Sequence, residues 1–211
     1  MEERLVTPLA GVASILLFVL GVVVIESGDT PGDEATGAEQ AAYYADSLGT
    51  LAVGAVLWGV GIIALIWFLD GLRTHILPAS GQLARLTYGF GFGAALFLLG
   101  SITPDVAAAI GSDNLERPLE SGAAEAAGFL GDGFFIVAEL MLAGFFLAVG
   151  LAAVRARALP AWLGWISLLL AVVAIIPPIG WAVVVFGFPI WVLLTSALLW
   201  RSKEVVPAAA A

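Results

Sequence analysis

The 211-residue chain contains no cysteine and a single histidine, His75. Disulfides, thiolate metal sites and cysteine nucleophiles are excluded outright. So are a bis-histidine haem within one chain and an H-E-x-x-H zinc site. None of the patterns G-x-S-x-G, G-x-x-x-x-G-K-[ST] or G-x-G-x-x-G occurs, so the common serine-hydrolase and nucleotide-binding signatures are missing. Charge is scarce as well. Charged residues make up 12% of the chain, about half the share in an average soluble domain. Basic residues are scarcest: eight Lys and Arg stand against 17 Asp and Glu, a net charge of −9. No nucleic-acid partner and no cofactor are expected.

Apolar residue fills the gap, at 61% of the chain. A soluble core of this size needs far less. Crossing a hydrocarbon layer of ~30 Å takes ~20 mostly apolar residues. Six runs qualify, at 8–26, 48–69, 85–103, 132–154, 161–177 and 180–200. The expected fold is therefore all-α: a single polytopic bundle of six transmembrane helices over residues 1–211. The first run reads as a retained span. Its apolar part, Leu9 to Ile25, outruns the ~7–15-residue core of a signal peptide, and no A-x-A site follows.

The charges orient the bundle. Arg4, then Arg73 and Arg85, then Arg155 and Arg157, then Arg201 and Lys203 alternate with two acidic segments. The first, 27–47, includes Asp29, Asp33, Glu34, Glu39 and Asp46, with Glu26 just before it. The second, 104–131, includes Asp105, Asp113, Glu116, Glu120 and Glu125 against the single Arg117, with Asp132 just after it. Lys and Arg mark the cytoplasmic ends of spans, so both termini are expected on the cytoplasmic side. Trp67, Trp162, Trp165 and Trp200 fall at predicted inner ends, and Trp181, Tyr43 and Tyr44 near outer ones, as headgroup-seeking aromatics should. Trp58 and Trp191 lie mid-span and are expected to pack inside the bundle.

Local signals add detail. Thr36 and Glu39 form a T-x-x-E capping box, which predicts a helix from Gly37 running unbroken into the second span. Asp70 and Arg73 are spaced to pair on one helix face. Gly89 and Gly93 form a G-x-x-x-G, extended by Gly100, for close helix approach. "TPDVAAAI" predicts a short separate helix with Thr103 as cap and Pro104 at its first position. "RTHILPA" (73–79) and "RARALPA" (155–161) suggest a weak internal repeat of two helical hairpins. Spans five and six are irregular, broken by Pro177-Pro178 and by Gly187 and Pro189.

The residue most in need of a reason is Glu139, inside the apolar run "GDGFFIVAELMLAGFF". A carboxylate at that depth should not face lipid. Asp132 and Glu125 precede it at steps of seven, a spacing that returns to nearly the same helix face. If the helix extends far enough, the three form one acidic stripe, with Ala143 and Gly150 leaving room along it. Gly144, Ala148 and Ala152 make a second, small-residue face for a neighbouring helix. Two accounts stand side by side. The stripe guides a proton, a cation or a cationic small molecule to a pocket ending at Glu139; or Asp132 caps the helix while Glu139 ties two spans together by a hydrogen bond. The small-residue faces of Gly89, Gly93, Gly144 and Ala148 equally suit an accessory or scaffold protein that binds another membrane protein or itself. An enzyme using outer carboxylates with Tyr43, Tyr44 or Arg117 is a third reading. The acidic segments could also hold divalent cations loosely; a metal is left undetermined. The certain partner is the lipid bilayer.

The stretches "AAYYAD", "LPAWLGWISLLLAVVAIIPPIGW" and "FGFPIWVLLTSALLWR" resemble a group of small six-span integral membrane proteins of actinobacteria. The resemblance implies a plasma-membrane setting and a six-helix fold, and it implies no activity.

Overall fold

The structure, a computed structural model, describes residues 3–28, 30–32 and 34–204. Asp29, Asp33 and the side chains of Arg4 and Lys203, four of the charges used above for orientation, lie outside the described residues. The regular elements among those residues are all helical: α1 (Glu3–Glu26), α2 (Gly37–Asp46), α3 (Leu48–Ile76), α4 (Gly81–Leu115), α5 (Ser121–Val154), α6 (Ala161–Ala174), α7 (Pro177–Ala182), a π-helical turn (Val183–Gly187) and α8 (Phe188–Glu204). Five stretches are long and apolar enough to cross a membrane: Val6–Glu26, Leu48–Ile76, Gly81–Leu115, Ser121–Val154 and Ile179–Arg201. The chain is a multi-pass helical membrane protein. Its exposed residues include Leu16, Val23, Val56, Ile63, Leu169 and Val172, an apolar shell suited to acyl chains and unsuited to water.

Two boundaries differ from expectation, each for a local reason. The helix opened by Thr36 does not run unbroken into α3; it stops at Ser47, whose carbonyl accepts from the Leu51 N–H at 3.0 Å and the Thr50 hydroxyl at 3.0 Å. Residues 103–110 are not a separate helix, because α4 continues through Pro104 to Leu115. Pro104 brings no N–H to the ladder, and the helix carries on past that one missing donor; beside it the Thr103 hydroxyl donates to the Leu99 carbonyl at 2.9 Å. Most of the segment 104–131 is thus helical, and only the link 116–120 is irregular. The fifth apolar run forms a 14-residue helix, α6, about 21 Å long at 1.5 Å per residue. That is shorter than a ~30 Å hydrocarbon core. A break at Ile175–Ile176, the six residues of α7 and the π turn follow it.

The chain divides into two compact units: residues 1–15, 63–95 and 138–211, and residues 16–62 and 96–137. The first unit is held by aromatic packing. Phe145, Phe146 and Trp191 are almost wholly buried, and the Trp191 ring meets both phenylalanines edge-on, with centroids 5.3 and 5.8 Å away. Its indole N–H donates to the Ser167 hydroxyl at 2.9 Å, which in turn donates to the Leu163 carbonyl at 2.7 Å. The polar edge of this tryptophan is therefore satisfied inside the membrane. α5 and α6 cross at Gly150 and Gly164. A Cβ on Gly150 would stand 3.1 Å from the Gly164 carbonyl oxygen, and one on Gly164 3.2 Å from that of Gly150. Gly150 thus belongs to a tight helix crossing and leaves no room at its own position.

The second unit is small-residue packing around Tyr44. Ala41, Tyr44, Leu51, Ile102, Ala108, Ala109 and Ala124 form its buried cluster. Alanines on α2, α4 and α5 let those helices approach closely. The crossing of α1 and α3 is equally tight: Gly21 and Gly54 face each other, a Cβ on either standing 3.2 Å from the other's carbonyl oxygen.

Candidate functional site

The second unit contains a cavity of about 620 Å³, within the ~300–1,000 Å³ usual for small-molecule sites. Each wall comes from a different element. α1 supplies Glu26, α2 Gln40, α3 Trp58, α4 Ser101 and Asp105, and α5 Glu125, Asp132 and Phe135, while Pro31, Gly32 and Ala35 come from the α1–α2 link. Among the described residues four carboxylates line it, and no Lys, Arg or His does.

The sequence places these side chains through three devices. The first is the capping box at the start of α2. The Thr36 hydroxyl accepts from the Glu39 N–H at 3.3 Å, and the Glu39 carboxylate accepts from the Thr36 N–H at 2.7 Å. The backbone bond to Thr36, then its hydroxyl, hold the Glu39 carboxyl below its usual range. The second is a cap from far along the chain. Glu125 Oε1 accepts from the Gly37 N–H at 3.1 Å, placing a negative charge at the positive end of α2. A side chain at Gly37 would collide with that carboxylate and with the Ser121 carbonyl. The third is Tyr44, 1% exposed, whose hydroxyl donates to Asp105 Oδ1 at 2.7 Å. Burial, the bond to Asp105 and that carboxylate's charge all raise the Tyr44 phenol far above its ordinary value. Burial likewise raises Tyr43.

Trp58 closes the apolar side. Its ring stacks on Phe18 with centroids 5.1 Å apart, and its edge lies against Gly21. The indole N–H is buried and has no hydrogen-bond partner among the described residues. A buried donor left unpaired is disfavoured by about 1–3 kcal/mol, and this one belongs to a residue that lines the cavity.

The acidic stripe is carried on one helix, but it does not end in one pocket. α5 starts at Ser121, so Glu125, Asp132 and Glu139 share it. Asp132 lies well inside α5 and does not cap it. Glu125 and Asp132 line the cavity, and Glu139 is not among the residues that do. Glu139 belongs to the first unit. It is 7% exposed and makes no side-chain hydrogen bond among the described residues. Its carboxylate packs on Gly180 of α7. The small-residue faces are mostly filled from within the chain. Phe90 stands 2.6 Å from where a Gly144 Cβ would be, the Met141 sulfur 3.2 Å from that of Gly93, and Ala148 is buried. Only Gly89 of the four faces open space. Arg117 pairs with Glu120 at 3.3 Å in an exposed bridge away from the cavity lining.

Glu26 and Asp105 entered the sequence reading only as members of the acidic outer segments, and Gln40 and Trp58 were not expected at a site. Asp105 reads in the sequence as a charge near a helix start, and its meeting with Tyr44 is a tertiary fact that no local spacing announces. No family model, no curated protein and no solved structure matches the chain.

Proposed function

We propose that this chain is a six-span protein of a bacterial plasma membrane, with both termini cytoplasmic, that binds a small organic cation at its outer face. The alternation of basic and acidic segments supports that orientation. α6, though short, counts as the fifth span on this reading. The observation that carries the binding function is the cavity, which among the described residues is lined by four carboxylates from three long helices and by no basic residue.

The arrangement favours an ammonium group with an apolar body over a bare metal ion. No three acidic or histidine side chains among the described residues stand close enough together to hold a metal. The charges are spread around the wall, and Trp58, Phe129, Phe135 and Ile25 supply apolar and aromatic surface between them. An ammonium beside Trp58 gains a cation–π contribution of about 0.5–2 kcal/mol. The accessory or scaffold reading has less support, since Gly93, Gly144 and Ala148 are already packed within the chain.

The test is calorimetric titration of the purified protein with tetraethylammonium, with spermidine and with a neutral alcohol of similar size. Binding of at least one cation and none of the alcohol is expected, with Asp132→Asn weakening it about tenfold, equivalent to ~1.4 kcal/mol. Equal binding of the neutral compound, or an Asp132→Asn variant indistinguishable from wild type, overturns the proposal.

A further inference from the structure

Within the first unit, the point where a Gly180 side chain would begin is close to two oxygens. Glu139 Oε2 and the Ala174 carbonyl oxygen each stand 2.9 Å from it. The Ala174 carbonyl ends α6, and its usual helical donors would be the N–H groups three and four residues on. Those residues are Pro177 and Pro178, which have none. The carbonyl is therefore left without its ladder partner by the sequence itself. Glu139 is more than nine-tenths buried and makes no side-chain hydrogen bond among the described residues. A carboxylate and a carbonyl, both acceptors, have been brought to the same glycine.

The surroundings set the charge of what would fill the gap. No titratable residue occurs between Arg157 and Arg201, so α6, α7 and the π turn bring no charge to Glu139. On α5 the nearest titratable residue is Asp132, seven positions away, or ~10 Å along the helix. One carboxylate in apolar surroundings is neutralised by one positive charge. A divalent ion would leave a net charge buried, which is strongly disfavoured. The backbone is built irregularly here as well. The chain leaves helix at Ile175–Ile176, restarts at Pro177, and takes a π turn at Val183–Gly187, where the Phe188 N–H reaches back to the Val183 carbonyl. Broken helices with freed carbonyls are the usual membrane setting for a bound proton or alkali ion, and π turns recur at functional positions.

We infer that Glu139 Oε2 and the Ala174 carbonyl, meeting at Gly180, form a binding site for one small hard monovalent cation, a proton or an alkali ion. An alkali ion would be held by both oxygens; a proton would sit on the Glu139 carboxyl beside that carbonyl. This site is separate from the cavity proposed for organic cations, and either can fail without the other.

The experiment uses the full chain in liposomes and an apolar carbodiimide, which enters the membrane and attacks protonated carboxyl groups. The modified residue is located by mass spectrometry of peptides. Modification of Glu139 is expected, slowing several-fold as pH rises from about 5 to 9. If the ligand is an alkali ion, adding Na⁺, Li⁺ or K⁺ at fixed pH also protects Glu139. If it is a proton alone, those salts leave the rate unchanged. Gly180→Ala, which puts a methyl group against the two oxygens, is expected to blunt the dependence while the protein stays folded by circular dichroism. An unmodified Glu139 across the whole pH range, or modification insensitive to both pH and salts, overturns the inference.

Discussion

The Tyr44 hydroxyl donates to Asp105 Oδ1 at 2.7 Å, joining α2 to α4 beside the cavity. Because Tyr44 is buried and faces a carboxylate, the folded state keeps the phenolic proton at a pH where an unfolded chain releases it. A group with a raised folded value contributes stability below its ordinary value and loses it above. Stability should therefore fall as pH climbs past about 10. Thermal unfolding followed by circular dichroism between pH 8 and 12 should show that fall in wild type, and a smaller one in Tyr44→Phe. At neutral pH the same variant should be less stable by about 1.5–3 kcal/mol, the usual effect of removing a hydrogen bond to a charged group.

The start of α2 should respond to acid in the opposite sense. The Glu39 carboxyl is held below its ordinary value by the Thr36 backbone. Its contribution is present above that ordinary value and fades as pH drops through the lowered one. Amide hydrogen exchange along residues 37–46 should speed up selectively below about pH 4. Thr36→Ala should accelerate exchange in the same segment at neutral pH, by the roughly fivefold that ~1 kcal/mol of lost capping implies. Uniform acceleration across all helices would contradict the local origin of the effect.

Glycines distinguish packed faces from open ones. Gly54→Ala sets a methyl group against Ile25 and the Gly21 carbonyl, and Gly144→Ala sets one against Phe90. Each should lower thermal stability by about 1–3 kcal/mol. Gly89→Ala meets nothing within 4 Å and should be neutral or raise stability by up to ~1 kcal/mol through helix propensity. The order of the three melting temperatures in one detergent is the readout.

Trp191→Phe should cost about 1–3 kcal/mol in the first unit. It removes the indole N–H that donates to Ser167 and trims the ring packed edge-on against Phe145 and Phe146. In that variant Ser167 keeps its bond to the Leu163 carbonyl, whereas Ser167→Ala leaves the buried indole N–H without its acceptor and should itself cost about 1–3 kcal/mol. Comparing both single variants with the double variant isolates the bond between the two side chains.

The sequence made periodic and local features legible. Apolar length identified the helices, and T-x-x-E announced the box at Thr36. Trp191 in mid-span was expected inside the bundle and is 1% exposed. Pro177-Pro178 foretold that α6 would be short. What escaped was set by tertiary neighbours. Ser47 breaks the path from α2 to α3, and the same unit packs Tyr44 of α2 against Asp105 of α4, a meeting between residues 61 positions apart. Pro104 reads as a helix start, yet α4 passes through it because the surrounding helix absorbs one missing donor. Glu125 looked like one member of a stripe; its bond to Gly37, 88 residues away, makes it a cap for another helix. Side chains at a spacing of seven share a helix face, but spacing says nothing of which neighbours divide that face into separate compartments.

The lengths of α4 and α5 have a consequence for how the cavity meets its ligand. Asp105 lies 24 residues from the start of α4 and Asp132 lies 22 from the end of α5, about 36 and 33 Å along the respective axes. Both distances exceed a ~30 Å hydrocarbon layer, long enough in sequence for these carboxylates to stand at headgroup level in the proposed topology. Anionic phospholipids there gather positive ions from solution within a Debye length, ~10 Å at 0.1 M salt. An amphiphilic ammonium compound would thus reach this mouth by sliding along the lipid surface, already enriched there before it meets the protein.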